Sequence, residues 1–207
     1  MECNKKEIGY VHCSNGHYVC DTCHGERSFK DVVRLLYKSK GNNPVEIAEG
    51  VINSAALPML GCEHAWVAAG SLLIAIKNHG EIKITNGQIV EALNRTRRQA
   101  IGAYCGLTGV CGVTPAIGAA FSVILGAACP KDKETSATMH VVSKVIETIA
   151  NETGPCCCKN FVYSSLSTSI GLAKDYLGID LPSSHQIICV DSERHPHGCR
   201  REKCKYY

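Results

Sequence analysis

The sequence predicts a mainly α protein: a bundle of six or seven helices with a small N-terminal Cys/His metal knuckle shaped as a β-hairpin. Three observations carry this. Helix-capping residues and prolines bracket apolar runs of helical period across the middle of the chain. Strand patterns are confined to the N-terminal hairpin and a short QIICV near the end. Cysteine accounts for 14 of 207 residues, in clusters at both termini and around an uncharged central stretch. The expected organisation is a zinc-knuckle-like segment at 1–27, a helical core at 28–184 and a cysteine-containing tail at 185–207.

In the first segment, Ser14-Asn15-Gly16 stands between YVHC and HYVC and marks a hairpin turn. The segment is too polar to bury a core of its own. Cys20-Asp-Thr-Cys23 has the separation that brings two thiolates to one tetrahedral ion; Cys13 across the turn offers a third ligand, and Cys3, His17 or His24 the fourth. A redox dithiol or free surface thiols are the competing readings. A closed four-ligand site would fold a segment that cannot fold alone.

The helices follow in order. Ser28 is a candidate N-cap for FKDVVRLLYKSK, and Asn43-Pro44 supplies a cap followed by proline at the first helical position of VEIAEGVINSAAL. CEHAWVAAGSLLIAIKN is apolar on nearly every face and closed by Gly80, which predicts a buried central helix. Thr85 caps NGQIVEALNRTRRQA, a surface helix whose basic end suits its dipole. Residues 101–130 contain no Asp, Glu, Lys or Arg, yet glycines at 102, 106, 109 and 112 break the first half into loop. The helix after Thr114-Pro115 is too short to cross a bilayer, so no membrane span is expected. TSATMHVVSKVIETIANE gives one further helix, and Gly154-Pro155 opens the last.

A second set of thiols comprises Cys105, Cys111, Cys156, Cys157 and Cys158, with Cys62 and Cys129 nearby in the chain pattern. Pro155 at a first helical position aims free amides at the triple, and a helix N-terminus favours thiolate over thiol. Successive helical residues point about 100° apart, so the three thiols cannot all face one point unless the turn is irregular. Buried cysteine is also an ordinary small hydrophobe, which is the competing reading. A third set, Cys189, Cys199 and Cys204 with His195 and His197 between them, has the form of a metal-tethered tail.

The formal charge of +3 gives no case for nucleic-acid binding. Arg95, Arg97 and Arg98, and the tail residues Arg200, Arg201, Lys203 and Lys205, are local exceptions that read as solvated helix ends and tail. The opening MECNKKEIGY lacks the apolar run of a signal peptide, so a reducing cytoplasm is expected and metal or iron–sulfur chemistry is favoured over disulfides.

GHYVCDTCH, GCEHAWV opening an apolar helix, GLTGVCGVTPAIGAAFSVILGA, GPCCCKN and a closing Cys-x4-Cys-x-Tyr together resemble an uncharacterised cysteine-rich domain family of anaerobic archaea and bacteria, found alone or fused to methyltransferase or radical-SAM modules. The resemblance spans almost the whole chain and implies that Cys20, Cys23, His24, Glu63, His64, Cys105, Cys111, Cys156, Cys157 and Cys204 stand at motif positions. The order of loop, small-residue helix and Gly-Pro-Cys segment is also similar to the catalytic domains of iron–sulfur L-serine dehydratases and cysteine desulfidases. That similarity implies a [4Fe-4S] cluster held by three cysteines with one iron open as a Lewis acid, although the cysteine spacings differ and the substrate-carboxylate motif is missing. The expected function is therefore an iron–sulfur protein, with a lyase or sulfur-handling activity on a small molecule in which His64 is the general base and Glu63 orients it. The alternative is a non-catalytic adaptor stabilised by zinc and docked on RNA or on a methyltransferase or radical-SAM partner.

Overall fold

The computed structural model describes residues 21–102, 104–152 and 154–207, with side chains from residue 25 onward. Among them are eight α-helices and no strand: α1 Asp21–Lys38, α2 Pro44–Ser54, α3 Glu63–His79, α4 Asn86–Gln99, α5 Cys105–Thr108, α6 Val113–Leu125, α7 Asp132–Ala150 and α8 Cys158–Leu177. The eighth is the single turn α5, placed where glycine spacing predicts loop. Two 3-10 turns, Ser192–Arg194 and Arg201–Lys203, shape the tail. The predicted hairpin, with Cys3, Cys13 and Cys20, lies outside the described residues, as do the side chains of Cys23 and His24. QIICV is not a strand, although the Cys189 amide donates to the Tyr206 carbonyl at 2.6 Å. Ser28 lies inside α1 and does not cap it.

Helix α3 is the axis of the molecule. Every residue from His64 to Ile76 is buried, and α1, α2, α4, α6 and α8 all pack on it. A helix apolar on all sides must be surrounded, because each exposed Leu or Ile would forfeit about 1.5–3 kcal/mol of burial. Leu72, Leu73 and Ile76 meet Phe121 and Ile117 of α6 and Leu166 of α8 in one core.

The predicted caps hold the ends. Asn43 Oδ1 accepts from the amides of Val45 and Glu46, with Pro44 at the first helical position. Thr85 and Gln88 form a reciprocal capping box at α4, and Gly80 closes α3 in the left-handed region at φ 91°. Thr85→Ala removes one half of that box and is expected to lower stability by about 1 kcal/mol, read as a shift in the urea midpoint at constant slope. No helix among the described residues is long and apolar enough to cross a membrane.

Arg95, Arg97 and Arg200 of the basic clusters have partners within the molecule, whereas Arg98, Arg201, Lys203 and Lys205 are exposed. Arg95 pairs with Glu91 at 2.8 Å and reaches Ser122, while Arg97 pairs with Glu26 and stacks 4.5 Å above the Phe29 ring. Arg200 is buried against Glu152. The reading of Arg200 as a solvated tail residue is therefore corrected.

Candidate metal centre

Helix starts deliver the central thiols to one place. Cys62 is the residue before α3, Cys105 opens α5, Cys111 lies two residues before α6, and Cys156 and Cys158 flank the N-cap of α8. Burial, and then the neighbouring Cys105, push the Cys156 thiol up, which places these two side chains beside each other. Cys62 and Cys105 are close enough to repel as thiolates; Cys111 feels Cys105, Cys156 and Cys62; Cys158 feels Cys111, Cys157 and Cys105. Thiols up to 53 residues apart in the chain thus lie near enough to influence one another.

Two backbone features make the convergence possible. At Gly112, a Cβ would stand 2.8 Å from Ala100 Cβ and 3.2 Å from its Cα, so only glycine lets the Cys111 loop lie against the end of α4. Gly154 sits at φ +95°, and the Arg200 side chain covers it. The chain then enters α8 three residues later than the proline predicts: Pro155 lies in the preceding turn, and Cys157 is the N-cap.

That shift divides the triple cysteine. Cys156 and Cys158 lie toward Cys105 and Cys111, whereas Cys157 approaches Cys189 and Cys204. Cys157 thus has Cys158 on one side and Cys189 and Cys204 on the other. Cys129 is exposed at the turn between α6 and α7, beside Lys131 and Asp132. Cys62, read from sequence only as a neighbour in the chain, belongs to the cluster. The usable signal was its place immediately before a helix, shared with Cys157.

Burial sets the electrostatics. It pushes the Cys158 thiol up to about 12 and Cys111 to about 11, with the surrounding thiols adding to the shift. Amides oppose it: Gly61 N–H donates to Cys158 Sγ at 3.4 Å, Val113 N–H to Cys111, and the Arg200 charge favours thiolate at Cys156. Crowded thiols are costly to ionise together unless a cation joins them. Among the described residues, no group of three or more His, Cys, Asp or Glu side chains is arranged to hold a metal ion, so an occupant would have to draw these sulfurs inward.

His64 does not stand as a base. It is fully buried, its Nδ1–H donates to the Gly61 carbonyl at 3.2 Å, and burial drives its pKa down to about 4. Nε2 is buried without a hydrogen-bond partner. No hydrogen bond joins Glu63 to His64, so the orienting role read for Glu63 is absent. What His64 does is hold Gly61, whose amide in turn holds Cys158.

Comparison with known proteins gives a family described as "Family of unknown function (DUF5714)", matched over residues 32–207. No curated protein and no solved structure matches the chain. The matched span contains every cysteine from Cys62 to Cys204.

Proposed function

The chain belongs to DUF5714, a family of unknown function, and we propose from the chemistry of its thiols that it is an iron–sulfur protein whose cluster is held by Cys62, Cys105, Cys111, Cys156 and Cys158. The observation that carries this reading is the meeting of five thiols from four helix starts, with three long helices, α3, α6 and α8, beginning there. A thiolate-ligated cluster is anionic, and helix N-termini, peptide N–H groups and Arg200 are the donors that stabilise one. All-sulfur ligation selects iron–sulfur or another soft metal over magnesium or calcium.

Five thiols exceed the four that a cubane cluster takes. With His64 buried and neutral, the base that a lyase needs is also missing from its expected place. Both points favour a redox or sulfur-carrying role over Lewis-acid catalysis at an open iron. Cys156 is exposed, which gives the cluster one edge toward solvent or a partner protein.

Full-length protein purified anaerobically is expected to be brown and to contain iron and acid-labile sulfide in equal amounts. Cys111→Ser and Cys158→Ser should lose most of the iron, whereas Cys129→Ser should keep it. A colourless, iron-free protein after anaerobic reconstitution with iron and sulfide would overturn the reading.

A further inference from the structure

Four further thiols among the described residues face one cavity. Cys157, Cys189, Cys199 and Cys204 line a single cavity of about 20 Å³, with His195 and Arg200 at its wall. Local structure brings them there. The Cys189 amide bonds to the Tyr206 carbonyl at 2.6 Å, folding the tail back on itself; the Cys204 amide closes a turn on the Arg201 carbonyl at 2.7 Å; and His195 Nε2, as donor, meets the Cys156 carbonyl at 3.0 Å.

Two of the four sulfurs already accept N–H groups. The Arg201 amide reaches Cys199 at 3.3 Å, and Asn160 Nδ2 reaches Cys204 at 3.4 Å. N–H groups aimed at sulfur are the outer partners that orient a metal-bound thiolate.

We propose that Cys157, Cys189, Cys199 and Cys204 form a closed four-thiolate site for one soft divalent cation of the zinc type, distinct from the five-thiol cluster, which ties the tail to the start of α8. Size separates the two sites. A cavity of about 20 Å³ is little above the roughly 10–15 Å³ that one water-sized occupant needs, which suits a single ion and is too small for a multi-iron cluster. Four cysteines fill a tetrahedral shell, so the site is structural and has no position left for substrate. The sulfurs must close to about 2.3 Å from the ion; residues 185–200 have a single 3-10 turn as regular structure, so their adjustment breaks no α-helix.

The test is thiol footprinting of the full chain, with iron measured in the same samples. With zinc bound, Cys189, Cys199 and Cys204 are expected to resist alkylation, and after chelation all three should react at least tenfold faster. Cys199→Ser should remove one zinc equivalent and leave iron unchanged, whereas Cys111→Ser should do the reverse. Equal alkylation rates with and without zinc would overturn the site, as would protection that survives the chelator and yields only to reductant, the mark of a disulfide. A loss of iron matching the loss of zinc in Cys199→Ser would show one shared site and also overturn it. The wild-type footprint decides the matter if the variant fails to fold.

Discussion

Arg200→Met is expected to destabilise the protein by about 3 kcal/mol, the lower end of the cost of removing one partner from a buried ion pair. Its side chain is only 2% exposed. Nη1 donates to Glu152 at 3.2 Å, Nη2 donates to the Pro155 carbonyl at 2.8 Å, and the guanidinium lies 5.9 Å from the Phe161 ring. Methionine fills much of the volume but supplies neither donor. Glu152 keeps Ser164 at 2.8 Å and Lys205 at 3.8 Å, which is why the loss falls at the lower end. Arg200→Lys retains the charge without the fork that reaches both acceptors, so it should fall between wild type and Met. Denaturant unfolding measures all three. A Met variant within about 0.5 kcal/mol of wild type would show that the pair contributes only what an exposed one does. The effect should also reach the thiols, because Arg200 packs over Gly154 and its charge favours thiolate at Cys156; iron occupancy in the Met variant should fall more than its stability alone explains.

No local pattern sets Arg200 apart from Arg201, Lys203 and Lys205, and that marks where reading the sequence stops. Asn43-Pro44, Thr85 and Gly80 were legible because a cap bonds to amides or carbonyls within its own turn. The burial of α3 was legible from its apolar circumference. The cysteine clusters were legible as candidates, since fourteen thiols in this composition need an explanation. Which thiols lie near which was not, because it depends on where α8 begins. A helix starting at Pro155 and one starting at Cys158 turn Cys157 in different directions, and the choice is made by Arg200, 45 residues away, gripping the Pro155 carbonyl. His64 was misread because an acid–imidazole pair in a first helical turn has the same sequence whether solvent or a core lies beside it; the apolar run that follows was the better guide.

His64 makes stability depend on pH, with a sign opposite to that of a histidine paired with an acid. Burial holds its folded pKa at about 4 against about 6.5 for an exposed imidazole, so folding favours the neutral ring. The contribution is fully present above pH 6.5 and is lost as pH falls from 6.5 through 4. At about 1.36 kcal/mol per pKa unit, the loss across that window is about 3 kcal/mol. His64→Asn places an amide donor near the position of Nδ1, keeps the Gly61 contact and does not titrate. Compared by denaturant unfolding at pH 7 and pH 4, the variant should lose about 3 kcal/mol less than wild type; parallel profiles would mean that solvent reaches the ring. His64→Leu removes the donor as well as the titration. Its Gly61 carbonyl then loses the contact that steadies the Gly61 amide against Cys158, so Cys158 should alkylate faster in the Leu variant than in the Asn variant, even at pH 7, where neither residue carries charge.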